Sequence, residues 1–170
     1  SLSRKTNKLY LLRAQRIVEV RLDPLIADAL AGKPKEAAAY ERVVATLPDD
    51  LRAGALAGDP DESRAYFGVV LSAPLAGRRE IDRRNTDPTE DREAARRRFE
   101  AAGKGQSSVR SVDLATGEMR TVIDVPFRIG HLQTNPWVPG EILYCHETTG
   151  DAPQRMWVVR ADGTGNRPAY

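Results

Sequence analysis

Apolar and polar residues alternate along much of the chain, and turn residues separate the alternating runs, which is the pattern of short antiparallel strands. The first unit spans about residues 7–47. Its predicted strands are residues 8–12, 16–23 and 40–47. A short helical segment is predicted at 24–31, where the alternation stops. This unit is therefore predicted to be an antiparallel meander that carries a small helix.

Two later parts of the chain, about residues 53–123 and 130–170, repeat this arrangement. Each has a turn, an apolar strand, an alternating strand and a glycine turn in the same order. The predicted strands of these two units are residues 64–70, 108–114, 119–123, 141–145 and 155–159. The shared order indicates an internal repeat of β-meanders.

A charged segment at about residues 76–105 interrupts the β pattern of the second unit. Asp87 is a suitable N-cap, Pro88 fits the first helical turn and Glu90 can complete the cap. Gly103 is a suitable C-cap. The segment is therefore predicted to contain a helical insertion near residues 88–102. Its arginines alternate with acidic residues, which is typical of a solvated helix face.

Meanders repeated at about 40–50 residues are typical of β-propeller blades, because each blade buries its faces against its neighbours. A closed ring needs about four to eight blades, and three units are visible. The sequence also stops directly after a turn, where another strand is expected. We therefore expect an all-β fold, a partial β-propeller forming one incomplete domain over residues 1–170. A small β-sandwich or a mixed domain is the alternative.

Composition and charge narrow the function only slightly. The 170 residues are 41% hydrophobic and 29% charged, as in a soluble globular protein. Because 26 basic and 24 acidic side chains nearly cancel, we expect no nucleic-acid partner. No apolar run has the length of a membrane span and the first residues do not resemble a signal peptide. Cys145 is the single cysteine, so a reducing compartment, the cytoplasm, is expected.

Two histidines are the main candidates for chemistry, because the sequence has no phosphate-binding glycine loop, paired-cysteine zinc site or nucleophile elbow. His131 follows Gly130 and precedes Asn135, which places it in the loop that leads into a blade. Such a loop borders the central channel, where a histidine can act as a general base. A polar loop residue without a catalytic role is the alternative for His131. His146 lies on a predicted strand, where a structural role is favoured.

Polar and aromatic side chains close to His131 are candidates for binding a sugar. Gln133 could orient a sugar or a water molecule, and Trp137, in a loop between prolines, could stack on a pyranose ring. Trp157 alternates with Val158 on a predicted strand and is expected in the core.

Three motifs of the third unit resemble the oligogalacturonate lyase family: Gly130-His131, Cys145-His146-Glu147 and Arg155-Met156-Trp157. Their content, order and approximate spacing are similar over about residues 107–170. The resemblance implies a seven-bladed, TolB-like propeller that cleaves short, often unsaturated galacturonides by β-elimination during pectin breakdown. It also implies a divalent metal, typically manganese, and an oligogalacturonide as substrate. In that family the histidine of the Gly-His motif resembles the Brønsted base, which corresponds to His131.

The implied reaction needs positive charge beside the base, because it removes a weakly acidic proton from a carbon next to a carboxylate. The family uses an arginine together with the metal. Arg110 is the candidate here, and Arg128 and Arg155 are alternatives. The family's metal ligands, histidines and a glutamine, are expected beyond Tyr170. The chain alone is therefore expected to bind metal poorly and to be inactive.

Two other functions fit the same sequence. One is a non-catalytic TolB-like propeller that binds a protein or a carbohydrate. The other is a propeller peptidase or another hydrolase whose catalytic domain follows the propeller. Similarity of fold alone does not separate these functions from a lyase.

Overall fold

The computed structural model describes residues 1–3, 5–71, 104–147 and 155–170, and it shows three antiparallel sheets. Sheet 1 contains β1 (Lys8–Arg13), β2 (Arg16–Arg21) and β3 (Glu41–Thr46), with helix α1 (Leu22–Leu30) between β2 and β3. Sheet 2 contains β4 (Arg52–Gly58), β5 (Arg64–Val70), β6 (Lys104–Asp113) and β7 (Met119–Phe127). Sheet 3 contains β8 (Ile129–Thr134), β9 (Glu141–His146), β10 (Met156–Arg160) and β11 (Arg167–Pro168). In each sheet, strands that are consecutive in sequence are neighbours.

This architecture confirms the predicted all-β fold of antiparallel meanders. The helical insertion near residues 88–102 lies outside the described residues. The small helix is confirmed, but it begins at Leu22, because β2 ends at Arg21 and not at residue 23 as predicted. Pro24 lies in its first turn, where a missing backbone N–H costs no hydrogen bond. None of the helices in the described ranges is long and apolar enough to cross a membrane.

Strand β5 of sheet 2 is buried on both faces, which explains why it is an almost continuous apolar run. Alternate residues of a strand point to opposite faces. Phe67 packs in the core shared with sheet 1, together with Ile17 and Val44. Tyr66 packs in the core shared with sheet 3, together with Ile142 and other buried residues. The prediction that Trp157 is a core residue holds in part, since its side chain is partly buried against this second core.

Polar contacts fix β8 of sheet 3 against sheet 2. The hydroxyl of Thr134 donates a hydrogen bond to the carbonyl of Gly58 at 2.7 Å. At the other end of β8, the backbone N–H of Ile129 donates to the hydroxyl of Ser107 at 3.3 Å. The strand is therefore fixed to sheet 2 at both ends, and residues between these contacts have defined positions.

Candidate active site

A β-bulge in β8 determines the direction of the His131 side chain. Ile129 pairs with His146 and Leu132 pairs with Tyr144, so Gly130 and His131 lie together opposite the single residue Cys145. Without a bulge, Ile129 and Leu132 would point to opposite faces. With it, both are buried in the core between sheets 2 and 3. His131 and Gln133 are exposed on the other side of the strand.

This geometry corrects the prediction that His131 lies in a loop leading into a blade, because it is the third residue of β8. The prediction was wrong because the bulge interrupts the alternation by which a strand is recognised. Bulges are common beside active sites, where they change the direction of a side chain. The location within a strand therefore gives His131 a more rigid support than a loop would.

The exposed His131 side chain borders a cavity of about 470 Å³ between sheets 2 and 3. One side of the cavity consists of residues at the start of β4 and the end of β5, including Arg52 and Gly68. The other side consists of residues 128–131 together with Glu147. The charged and titratable groups that line it are Arg52, Arg128, His131 and Glu147. Cationic and proton-accepting groups therefore share one cavity, as required for proton abstraction from an anionic substrate.

Glu147 packs directly against the bulge. Its backbone N–H donates a hydrogen bond to the carbonyl of Arg128 at 2.9 Å. A Cβ atom placed on Gly130 would lie only 2.6 Å from the Cδ of Glu147 and closer still to the Oε2 atom. That Oε2 atom is buried and has no hydrogen-bond partner among the described residues. Sequence reasoning did not select Glu147 as a site residue, although it belongs to the Cys-His-Glu motif.

His146 lies next to this cavity but does not line it. Its ring stacks on Phe127, with ring centroids 4.1 Å apart. Burial lowers the pKa of His146, the nearby positive charge of Arg155 lowers it further, and Glu147 acts in the opposite direction. The stacking agrees with the structural role expected for this histidine. The pairing of His146 with Ile129 brings the two histidines to the same end of sheet 3.

Arg110 lies apart from His131. On β6 it pairs with Phe67 and Thr121, so its side chain belongs to the face of sheet 2 that packs toward sheet 1. The cavity with His131 lies on the side of sheet 2 that faces β8. The Nε atom of Arg110 is buried without a hydrogen-bond partner among the described residues. The structure therefore brings Arg52 and Arg128, and not Arg110, into one cavity with His131.

The two predicted sugar-binding residues occupy different places. Gln133 lies on the same exposed side of β8 as His131, two residues further along. Trp137 lies in the loop between β8 and β9, beyond the opposite end of β8, and is 84% exposed. Its backbone N–H donates to the Oδ1 atom of Asn135 at 2.9 Å, which holds the loop. The structure therefore places Gln133 close to the candidate base and Trp137 away from it.

The donor groups needed for a metal ion are not grouped in this part of the protein. Within residues 1–3, 5–71, 104–147 and 155–170, no three His, Cys, Asp or Glu side chains lie close enough to hold one. His146 and Glu147 are adjacent, but the His146 ring is stacked on Phe127. The described residues therefore do not fit a metal centre by themselves.

Comparison with solved structures identifies the class of fold as a β-propeller. The chain is similar over 98% of its length to an oligogalacturonate lyase in complex with manganese, with a TM-score of 0.66 and 22% identity. It is also similar over 98% of its length to the oligogalacturonate lyase of Vibrio parahaemolyticus, with a TM-score of 0.69 and 18% identity. In both cases it covers 38% of the other chain.

The resemblance to oligogalacturonate lyases inferred from the sequence motifs is thus confirmed at the level of the fold. No protein-family model matches the chain, and no curated protein matches it either. At these identities the similarity establishes the fold and not the reaction. The chain spans less than two fifths of the length of the lyases that it matches.

Proposed function

We propose that the chain is part of an oligogalacturonate lyase, an enzyme that cleaves short galacturonides by β-elimination. The observation that carries the proposal is the bulge at Gly130 and His131, which presents an exposed imidazole to a cavity that also contains two arginines. The similarity of fold over 98% of the chain supports the same function.

In the proposed reaction His131 is the base. Its imidazole takes the proton from the sugar carbon next to the carboxylate. The electron pair of that C–H bond forms a carbon–carbon double bond, and the C–O bond to the neighbouring sugar breaks. The leaving oxygen takes a proton from water, and His131 later returns its own proton to the solvent. A histidine suits this role because it changes protonation state near neutral pH.

Positive charge must stabilise the substrate carboxylate while the proton leaves. We propose that Arg128 and Arg52 supply it, since both line the cavity with His131. Arg110, the candidate predicted from sequence, would have to act from the other face of sheet 2. We propose that Gln133 exchanges a hydrogen bond with a sugar hydroxyl, since it lies on the same exposed side of β8 as His131.

A divalent metal is proposed for the intact protein only. One structural neighbour is a manganese complex, whereas the described residues of this chain do not group metal ligands. Any metal ligands are therefore expected in parts of the protein outside these residues. Such an ion would supply further positive charge at the substrate carboxylate.

The test is an assay of the full-length protein on unsaturated digalacturonate with manganese, in which sugar products are followed by chromatography. The variant His131→Ala is expected to lower kcat by about 10²–10⁴-fold, the usual contribution of a general base. Arg120→Ala is the control, because Arg120 is exposed on β7 and pairs with Glu118 at 3.0 Å. Unchanged turnover in His131→Ala would remove His131 from the mechanism. Binding of the substrate by the wild type without any turnover would favour a non-catalytic propeller.

The same assay distinguishes the roles proposed for the three arginines. Arg128→Ala and Arg52→Ala are expected to raise KM or lower kcat, because each removes a cation from the cavity. Arg110→Ala is expected to lower thermal stability more than activity, since it lies in the interface between sheets 1 and 2. A loss of activity confined to Arg110→Ala would return the role to Arg110.

A further inference from the structure

We infer that Glu147 is a positioning residue for His131: its carboxylate packs against Gly130 and holds the bulge that turns the imidazole toward the cavity. The inference deepens the proposed function and rests on it for its catalytic readout. Nothing in the sequence motifs assigned a role to Glu147.

The carboxylate of Glu147 approaches Gly130 closely. A Cβ atom at this position would lie 2.6 Å from Cδ and 2.8 Å from Oε1 of Glu147. Real Cβ atoms essentially never come this close to another heavy atom, so the carboxylate occupies the space that any other residue at 130 would need. Gly130 is the first residue of the bulge, and His131 follows it directly.

The backbone at Glu147 is fixed beside the bulge. Its backbone N–H is bonded to the carbonyl of Arg128, directly beside the start of β8. The preceding residue, His146, donates its backbone N–H to the carbonyl of Arg155 at 2.7 Å and stacks its ring on Phe127. The backbone of Glu147 is therefore fixed next to the bulge, which keeps its side chain within reach of Gly130.

One carboxylate oxygen of Glu147, Oε2, is buried and has no hydrogen-bond partner among the described residues. The same atom would overlap a Cβ on Gly130, so this side of the carboxylate packs against the backbone next to His131. A shift of about 1 Å in a catalytic group can cost about 100-fold in rate, so the direction of the bulge matters for turnover.

The test uses the full-length protein and four variants: Gly130→Ala, Glu147→Ala, Glu147→Gln and the double variant Gly130→Ala/Glu147→Ala. Gly130→Ala and Glu147→Ala are each expected to lower kcat by between about tenfold and about 100-fold with little change in KM, because each change separates the carboxylate from the bulge. Glu147→Gln keeps the shape of the side chain and should retain most of the activity. The double variant should be as active as Glu147→Ala, since the carboxylate that contacts the bulge is already absent from that variant.

A second readout does not depend on lyase activity. The NMR signals of the His131 imidazole are identified as those that are missing from the spectrum of His131→Ala. They are expected to shift in Gly130→Ala and in Glu147→Ala, and to shift no further in the double variant, because each single change already removes the contact between the carboxylate and the bulge. Thermal melting of each variant shows that it is folded.

The outcomes separate this inference from the proposed function. If the wild type is inactive but the His131 signals shift in Gly130→Ala and in Glu147→Ala, and no further in the double variant, the positioning role stands and the lyase function fails. If Gly130→Ala keeps wild-type kcat and unshifted His131 signals, the inference is overturned. The inference would also be overturned if the fold-loss of kcat in the double variant equalled the product of the two single fold-losses. The two residues would then act independently.

Discussion

The carboxylate of Asp59 in sheet 2 accepts the backbone N–H of Gly140 in sheet 3, with its two oxygens at 3.0 and 3.1 Å. Asp59 is only 6% exposed, and the hydroxyl of Tyr66 donates to its Oδ2 atom at 2.9 Å. Burial raises the pKa of Asp59, and the hydrogen bonds from Gly140 and Tyr66 oppose that effect. One buried side chain therefore joins the turn after β4 to the start of β9.

Removing this link should destabilise the contact between the two sheets. Asp59→Ala is expected to lower the free energy of unfolding by about 2–3 kcal/mol, because buried donors on Gly140 and Tyr66 lose a charged acceptor. Urea unfolding measures the loss. Asp61→Ala is the matched control: Asp61 is near Asp59 in sequence, but its bonds to Ser63 are exposed. Equal losses in both variants would show that the link between the sheets contributes nothing.

The depressed pKa of His146 predicts a pH dependence of stability. As the pH falls through the ordinary range of histidine, the unfolded chain binds a proton that the folded chain does not, so stability falls with it. His146→Phe removes the titrating group and keeps a ring to stack on Phe127. Between about pH 7.5 and about pH 5.5, Tm should decrease more for the wild type than for His146→Phe. Parallel Tm curves would contradict the prediction.

The position of Trp137 predicts an effect that depends on substrate length. His131 and the last residue of β8, Thr134, are three positions apart, roughly 10 Å along a strand, and Trp137 lies beyond that end in the loop. Trp137→Ala should therefore leave kcat/KM for a digalacturonate unchanged and lower it only for longer oligomers. The assay is a comparison of substrates of increasing length. Reduced activity on the dimer would bring Trp137 into the immediate site.

Two glycine turns contact the preceding sheet in the same way. Gly163, between β10 and β11, has a φ of +83°, and a Cβ there would lie 2.5 Å from the carbonyl oxygen of Val122 in sheet 2. Gly117, between β6 and β7, has a φ of +77° and meets the carbonyl of Val44 in sheet 1 even more closely. Each turn thus packs on the last strand of the sheet before it.

An alanine at either turn should combine backbone strain with overlap. Gly117→Ala and Gly163→Ala are expected to cost about 3 kcal/mol each in unfolding free energy. Gly32→Ala is the control, because Gly32 has a φ of +68° but nothing within 4 Å of an added Cβ. It should cost only about 1 kcal/mol, the strain alone. Urea unfolding of the three variants compares them, and similar losses at all three positions would rule out the overlap.

The strands that sequence analysis predicted well are those with apolar side chains on a buried face. Strand β5 at Arg64–Val70 matches its predicted range, because β-branched and aromatic residues fill both sides of it. Strand β4 was missed, because alanine and glycine make up most of Arg52–Gly58 and give no β signal. Strand β8 was missed because its bulge breaks the alternation.

The site was predicted in part. His131 and Gln133 could be selected because histidine and glutamine have a recognisable chemistry, and the structure puts both on one exposed side of β8. Arg110 and Glu147 could not be assigned correctly from sequence spacing, because their positions depend on how the strands pair. The face on which Arg110 lies depends on strand pairing, and the contact between Glu147 and Gly130 joins two strands. Neither can be deduced from the order of residues along the chain.

The bulge in β8 makes the site depend on a count of residues as well as on their identity. A deletion of one residue between Ile129 and Leu132 would restore regular pairing with β9 and leave the composition almost unchanged. A related protein with the shorter strand would have a single residue between the two core residues, so a histidine there would lose the neighbouring glycine and its contact with Glu147. Searches for functional relatives should accordingly compare strand length at this point, since a conserved histidine there is informative only when the extra residue is conserved with it.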